Sequence, residues 1–526
     1  MASVSDRIAL DAAGAAANGS ARWDPRTTTS PEDPSVGSLR AAVRAADGYD
    51  LLVAALICVI ASARFLFVPG SFRADTWLTL AAGRDIWHSG IPHEDTWTTL
   101  SAGREWIDQQ WLSQLTTFGI YRLGGFGLVG FAAVSCALST LGAAVAAAKR
   151  GGASGRSLLL LTPLTVLPFM VASFEVRAQM FALPLFMAVF LLLRADSHSS
   201  SRRVYLTLPL LALWANLHGS VTLGIALVAL RGLSVGWERR RTLLGRGRAW
   251  IRPAALTLLP ALTLFLTPYG ISVVPYYRAT LFSGWFSKLV TEWQPVTSAP
   301  LPATFFFVLA GVALWSFGRN PGKTTLWERA ALVLLMVAAI SAIRNLVWVV
   351  LAAIPIVAVS IDPGVRRETG HQSSQRHING AIAIAAAVCL VVAALSTLAR
   401  SGRAFEKAYP SSVLSAVRAA RSADPGTNVL ADVSYADWLL WRDPSLRGHL
   451  AFDGRFELLS HHGIRTLAAV AAGERSGLEA LPYRLVVLHP RESAAAARAF
   501  RQERGVRVLD DDRRGIVILR LPESER

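Results

Sequence analysis

Charged residues make up only 17% of this 526-residue chain, and it has only three cysteines. Cys58, Cys136 and Cys389 each lie inside a different apolar segment, so neither a disulfide framework nor a cysteine metal site is expected. The Gly-x-x-x-x-Gly-Lys phosphate loop and the His-Glu-x-x-His zinc motif are also missing. Nothing therefore indicates nucleotide hydrolysis, and any group donor is expected to arrive from the membrane or its outer face.

Hydrophobic residues make up 52% of the chain and form many runs that are too long for a soluble core. The pattern predicts a polytopic α-helical membrane protein with about eleven transmembrane helices. The predicted spans are residues 51–69, 124–148, 157–172, 178–193, 204–217, 220–233, 253–266, 302–317, 326–340, 346–360 and 378–398. Several are shorter than the roughly 20 residues that cross a bilayer, so neighbouring runs could instead be single long helices.

The positions of the basic residues distinguish separate short spans from single long helices. With eleven spans and a cytoplasmic N-terminus, lysines and arginines collect in every inner loop, including six arginines between positions 239 and 252. Fusing 204–217 with 220–233 would move that loop outside, so we expect a real break at 216–219. The same loops account for much of the formal net charge of +17, which favours anionic lipid headgroups over nucleic acid as the partner.

Three regions are expected along the chain. Residues 1–48 are polar, lack an apolar signal core and should form a disordered cytoplasmic tail. Residues 49–400 should form the transmembrane domain, with a long outer loop at 70–123. Residues 401–526 follow an odd number of spans and should form a small extracytoplasmic α/β domain of a multi-pass plasma membrane protein.

Finer features are expected in the two outer regions. The C-terminal region should contain strands at 428–433, 483–488, 506–509 and 515–521, with a hairpin turn at 511–514. The outer loop carries five tryptophans, which suggest one or two helices lying flat at the membrane interface. They are Trp77, Trp87, Trp97, Trp106 and Trp111.

Ionisable residues interrupt or border the apolar runs, and by this topology they lie at the outer boundary alone. Such residues are costly at the edge of hydrocarbon unless they face a protein interior or a wet cavity, so they indicate a functional site. The set consists of Asp75, Glu175, Arg177, His218, Glu292 and Arg344.

Asp75 follows the first span by a few residues, where a carboxylate could act as a general base or simply cap a helix. Arg177 shares a short outer turn with Glu175, so it could form a salt bridge there or bind a phosphate through its planar guanidinium. Arg344 offers a second cation on the same face. Together, two arginines suit a diphosphate or a lipid-linked phosphate.

Four further residues are candidates for binding substrate. Asn216 and His218 break an apolar run at the outer boundary, where non-helical backbone is tolerated mainly beside a cavity. Glu292 lies next to Trp293, which could stack on a carbohydrate or anchor the loop at the interface. Asp95 could orient an acceptor or bind a divalent ion, although a turn or capping role suits it as well.

The chain resembles the GT-C superfamily of polyprenyl-phosphate-sugar-dependent glycosyltransferases, which includes protein mannosyltransferases and aminoarabinose transferases. The resemblance covers nearly the whole chain from Leu51. It rests on Asp75 after the first span, an outer loop with Gly83, 90–92 and Asp95, repeated short spans and a soluble outer C-terminal domain.

The resemblance implies roles for individual residues. It makes Asp75 the base that activates the acceptor, and Arg177 or Arg344 the contacts of the lipid-linked phosphate. The sequence departs from the best-known form of the family because Asp75 is flanked by Ala74 and Thr76 and has no acidic neighbour.

The expected function is transfer of a sugar from a polyprenyl-phosphate donor to a glycan, lipid or protein acceptor on the outer face. No soluble cofactor and no metal ligand are implied, and a divalent cation is compatible with the scheme but not required. The alternatives are a transporter or flippase of a lipid-linked envelope precursor and a non-catalytic envelope-assembly protein. A transporter should carry polar groups along a path to both faces and a repeat in its two halves, and the sequence shows neither clearly.

Overall fold

The computed structural model describes residues 48–240, 247–282, 291–365, 373–481 and 483–521. The predicted cytoplasmic tail lies outside the described residues apart from Gly48, where the first helix begins. Parts of two predicted inner loops, 241–246 and 366–372, also lie outside them.

The first part of the chain is almost entirely helical. Its helices are α1 (Gly48–Phe67), α2 (Ala74–Ser89), α3 (Trp111–Arg150), α4 (Gly155–Ala172), α5 (Ala182–His198), α6 (Thr207–Leu217), α7 (Val221–Glu238), α8 (Ile251–Leu262), α9 (Val273–Phe282), α10 (Pro300–Arg319), α11 (Leu326–Ser341), α12 (Leu346–Val365) and α13 (Ser373–Leu398). Each of the eleven predicted spans overlaps one of these helices.

Eight helical segments in the described part of the chain are long and apolar enough to cross a membrane, so the protein is a multi-pass membrane protein. They are Gly48–Ser71, Trp111–Arg150, Gly155–Ala172, Ala178–His198, Val221–Glu238, Pro300–Arg319, Ile343–Val365 and Arg376–Leu398. A ninth is present if Ile251–Phe265 and Gly270–Leu281, bent by 102°, count as one span.

The difference from eleven comes from short helices. The helices α6, α8 and α11 have 11, 12 and 16 residues, which at 1.5 Å per residue leaves each alone short of a full bilayer crossing, and α8 is counted only when it is joined to α9. The break between α6 and α7 is present at residues 218–220, as predicted. The helix α3 is interrupted at Gly124 and Gly125, where the predicted second span begins, because Gly125 adopts a φ of 63°.

The segment Ile343–Val365 forms the centre of the bundle, and 94% of the residues in its 18-residue apolar stretch are buried. It packs against α4 and α3, whereas α13 lies at the edge of the bundle and packs mainly on α1. The turn that precedes α12 is therefore held in place by the surrounding helices, and so are the side chains of that turn.

Buried charges also occur at the end of the bundle that carries the predicted inner, arginine-rich loops. The expectation that ionisable residues lie at the outer boundary alone is therefore wrong. Asp196 in the last turn of α5 pairs with Arg231 of α7 at 2.9 Å, because α5 continues several residues beyond the predicted span. Glu328 closes the capping box that starts α11 and pairs with Arg194 at 2.7 Å. These charges are neutralised within the protein, as buried ions need to be.

The C-terminal region is an α/β domain, as predicted. Its elements are α14 (Gly402–Phe405), α15 (Ser411–Ala423), β1 (Val429–Ala431), α16 (Val433–Arg442), α17 (His461–Ala472), α18 (Arg475–Ala480), β2 (Leu485–Leu488), α19 (Ala494–Gln502), β3 (Val506–Asp511) and β4 (Ile516–Arg520). The strand order is β1-β2-β4-β3, with β1 parallel to β2 and the other pairs antiparallel. All four predicted strands are confirmed, and Asp512 donates to the Gly515 carbonyl within the predicted hairpin turn.

The outer loop contains the helix α2 and the start of α3, and three of its five tryptophans are buried inside the protein. Trp77, Trp97 and Trp106 are each at most 3% exposed, because they pack into a core that the loop shares with the C-terminal domain. Trp77, for example, lies 5.5 Å from the ring of Tyr409. The interfacial expectation is therefore wrong for these three, while Trp87 is 50% exposed.

Candidate active site

A cavity of about 180 Å³ lies between the ends of the spans and the C-terminal domain. It brings together five of the six ionisable residues singled out from the sequence. These are Asp75, Arg177, His218, Glu292 and Arg344. The sixth, Glu175, lies 4.0 Å from Arg177 and lines a small adjoining cavity.

Asp75 lies in the first turn of α2, which begins one residue earlier. The capping position belongs to Arg73, whose backbone N–H donates to the Thr76 hydroxyl, and Thr76 in turn donates to the Val176 carbonyl. This contact ties the start of α2 to the turn that carries Arg177. The Asp75 side chain remains 46% exposed in the cavity, with its nearest cation, Arg177, at 3.5 Å.

Arg177 is surrounded by carboxylates. It donates to both oxygens of Glu292, at 2.7 and 2.9 Å, and lies 3.5 Å from Asp75 and 4.0 Å from Glu175. Burial alone would lower the pKa of Arg177, but the three carboxylates outweigh it and raise the pKa further. Its positive charge is therefore already compensated within the protein.

The acidic neighbours of Arg177 differ in their protonation. Burial, followed by the charge of Asp75, raises the pKa of Glu175 to about 7. Burial also acts to raise the pKa of Glu292, but Arg177 and then Arg344 reverse this effect and lower it. Glu292 is thus the fixed anion that holds Arg177, and Glu175 is the carboxylate that gains or loses a proton near neutral pH.

Arg344 has a different environment from Arg177. It lies in the turn Ile343–Asn345 between α11 and α12, which is joined to the 291–293 turn by a hydrogen bond from the Ile343 N–H to the Gln294 carbonyl. Its guanidinium stacks over Trp293, 4.5 Å from the ring centroid. Within the part of the chain that the structure describes, it forms no hydrogen bond and no ion pair.

His218 follows the last residue of α6 in extended backbone and is 8% exposed. Its Nδ1 lies 3.1 Å from the Ser220 backbone nitrogen and 2.8 Å from the Ser220 hydroxyl. Burial, and after it the charges of Arg344 and Arg177, lower the pKa of His218 well below its usual value.

A second cavity of about 130 Å³ adjoins the first on the side of the spans. Both cavities are lined by Gln109, Gln179, His218, Tyr276, Thr280, Trp293 and Arg344. The remaining wall of the second cavity includes apolar side chains, among them Leu223, Leu281 and Trp348. The polar cavity with Asp75 therefore leads into a more apolar one, and Arg344 and His218 lie at their junction.

Two predicted substrate contacts are placed elsewhere. Asn216 does not line either cavity, and its side chain is bonded to Trp111 and to the carbonyls of Ala212 and Leu266. Asp95 is 1% exposed and pairs with Arg455 at 2.8 Å.

The C-terminal domain contributes a wall that sequence reasoning missed, formed by Gly454, Arg455, Phe456 and Glu457. Arg455 is held by Asp453 as well as Asp95, and its guanidinium packs over the rings of Trp97 and Trp106. Charged residues in a mixed-charge soluble domain give no local signal of such a position. Among the described residues, no group of three or more His, Cys, Asp or Glu side chains is placed to hold a metal ion.

No family model and no curated protein matches the chain. Among solved structures, it is similar to ArnT from Cupriavidus metallidurans bound to undecaprenyl phosphate, with 17% identity, 90% of this chain and 98% of that chain covered, and a TM-score of 0.47. It is also similar to the archaeal oligosaccharyltransferase AglB from Archaeoglobus fulgidus in complex with an inhibitory peptide and a dolichol-phosphate. That match has 12% identity, 90% and 73% coverage, and a TM-score of 0.47.

Proposed function

We propose that this protein is an integral-membrane glycosyltransferase that moves a sugar from a polyprenyl-phosphate donor to an acceptor at the outer face of the membrane. One observation carries the proposal: an accessible carboxylate, Asp75, and an arginine without an acidic partner among the described residues, Arg344, line the same cavity. A base and a phosphate-binding cation are the two groups that such a transfer needs.

The chemistry is a single displacement at the anomeric carbon of the donor. Asp75 accepts the proton of the acceptor nucleophile while that atom bonds to the anomeric carbon. The bond between this carbon and the phosphate oxygen breaks, and its electron pair leaves with the polyprenyl phosphate. Arg344 stabilises the charge that develops on the departing phosphate.

Arg344 suits the phosphate better than Arg177 does. A buried cation already paired with a bidentate carboxylate would have to give up Glu292 before it could bind a ligand, and that exchange has a large desolvation cost. Arg344 has no carboxylate within ion-pair distance in the described part of the chain, and stacking on Trp293 orients its guanidinium group. Arg177 instead holds Asp75, Glu175 and Glu292 in one cluster.

The two cavities suggest where the parts of the donor lie. The phosphate lies at the junction beside Arg344, the sugar in the polar cavity near Asp75, and the first isoprene units against the apolar wall of the second cavity. The basic loops predict that the N-terminus is cytoplasmic, and an odd number of crossings, either the eleven predicted or the nine counted with the bent pair, then puts the cavity and residues 401–526 on the outer side.

The test is transfer by purified protein reconstituted in lipid with a panel of radiolabelled polyprenyl-phosphate sugars. Asp75→Asn should lower transfer about 100-fold or more, since general base catalysis contributes that much, while donor binding persists. Asp85→Asn is the matched control, because Asp85 lies on the same helix, pairs with Arg447 and does not line the cavity. It should leave transfer within about two-fold of wild type.

Two results would contradict the proposal. Transfer that is unchanged in Asp75→Asn would remove Asp75 as the base. No transfer by wild type with any donor would favour the transporter or assembly function instead.

A further inference from the structure

His218 is the most buried ionisable side chain at the junction of the two cavities. It sits where α6 ends, three residues before α7 begins, and lines both cavities. The groups that face it across the cavities include cations, carboxylates and phenols. They are Arg177, Arg344, Arg455, Asp75, Glu292, Glu457, Tyr276 and Tyr277.

The hydrogen bonds of His218 fix which ring nitrogen carries a proton. The backbone N–H of Ser220 points at Nδ1 over 3.1 Å, and a backbone amide can only donate, so Nδ1 must present its lone pair. The Ser220 hydroxyl lies 2.8 Å from the same nitrogen and can accept from the indole N–H of Trp214 at 3.2 Å, which leaves its own proton for Nδ1. The ring proton therefore lies on Nε2.

A doubly protonated ring is incompatible with this arrangement, because an N–H at Nδ1 would face the Ser220 N–H. The environment agrees, since burial and the nearby arginines lower the pKa of His218 and keep the imidazole neutral. Nε2 has no hydrogen-bond partner among the residues that the structure describes. With the Nδ1 edge turned to Ser220, the Nε2 edge is the one left for a ligand in the cavities.

We propose that His218 binds a phosphate oxygen of the lipid-linked donor through a neutral Nε2–H donor, beside Arg344. This inference rests on the proposed function and deepens it. The phosphate is then held by one cation and one uncharged donor. His218 transfers no proton, and the cation that contacts the phosphate is Arg344.

The test measures the binding of a polyprenyl monophosphate to the full-length protein in lipid nanodiscs, with the matching polyprenol as the ligand that lacks phosphate. His218→Leu removes the donor and should weaken phosphate binding roughly 10-fold or more, which is the size of a hydrogen bond to a charged group. Binding of the polyprenol should stay the same. His218→Gln keeps an N–H donor and should bind the phosphate within about three-fold of wild type.

The dependence on pH provides a second readout that does not need His218→Leu to fold. The ratio of wild-type to His218→Gln affinity should stay constant between about pH 6 and 8, because ionisation of the ligand and of neighbouring groups affects both proteins alike. A ratio that falls as the pH rises would show a charged imidazolium and overturn the proposal.

The remaining outcomes separate this inference from the proposed function. If wild type binds the polyprenyl phosphate no better than the polyprenol, the proposed function fails. If wild type prefers the phosphate and His218→Leu binds it equally well, only the role of His218 fails. Equal weakening of both ligands in a less stable His218→Leu would mean that His218 merely supports the break between α6 and α7, which also overturns the inference.

Discussion

Two arginines line the same cavity, and the structure predicts opposite consequences for their removal. Arg177 is 14% exposed and compensates three carboxylates, whereas Arg344 stacks on Trp293 and has no acidic partner among the residues described. Replacing each with methionine removes the charge and keeps a side chain of similar length. Arg177→Met should therefore mainly lower stability, and Arg344→Met should mainly lower donor binding.

The magnitudes follow from the contacts. Removing one partner of a buried ion pair costs about 3–5 kcal/mol. Because the Glu292 side chain is 36% exposed and partly screened, we expect about 2–3 kcal/mol for Arg177→Met. Arg344→Met loses a cation–π contact of about 0.5–1 kcal/mol. For a chain of this size, these values correspond to falls in Tm of about 2–3 °C and about 1 °C or less.

The assay is thermal unfolding in detergent at a matched scan rate, because membrane proteins of this size commonly unfold irreversibly. Adding Glu292→Gln to Arg177→Met removes the strongest unpaired charge and should recover at least half of the lost Tm. Donor binding is measured on the same samples, where Arg344→Met should lose roughly 100-fold. Equal destabilisation by the two single variants, or unchanged stability of Arg177→Met, would refute the division of roles.

Two further predictions concern carboxylates. The pKa of Glu175 is raised to about 7 by burial and then by Asp75, so its contribution to stability is full below pH 4.5 and is lost as the pH rises through 7. Glu175→Gln should therefore stabilise the protein relative to wild type at pH 8 by at most about 3 kcal/mol, and much less at pH 5.5, as measured by Tm. Asp95→Asn should cost about 2–3 kcal/mol by weakening the hold on Arg455 and change donor binding less than about three-fold, since Asp95 does not line the cavity. A large loss of donor binding without a loss of stability would instead support a direct contact by Asp95.

The sequence predicted the helices well because hydrophobic runs and basic loops report on the membrane directly. The break at 218–220 illustrates this, because without it the loop with six arginines between positions 239 and 252 would lie on the outer side of the membrane. Span lengths were less certain, because α6 is too short to cross alone and sequence patterns do not show how neighbouring helices shield its ends. The interfacial reading of Trp77 failed for the same reason, since the partner that buries it lies more than 300 residues away.

The site was only partly visible in the sequence. Charges that border apolar runs have a cost that singles them out, which is why Asp75, Arg177 and Arg344 were found. Their pairing could not be predicted, because Glu292 reaches Arg177 across 115 positions of the chain. Arg455 was not predicted, because a charged residue in the sequence of a soluble domain shows no desolvation cost. Only the fold buries it against Trp97 and Trp106.

The base and the phosphate-binding cation belong to different layers of the protein. Asp75 lies in the first turn of α2, and the body of that helix is held by the C-terminal domain through Trp77 and through hydrogen bonds from Arg84 to carbonyls at the end of α16. Arg344 belongs to a turn at the end of the central helix of the bundle. The distance between the two groups is therefore set by how the domain packs on the spans. Because that packing joins residues far apart in the chain, no local motif can mark it.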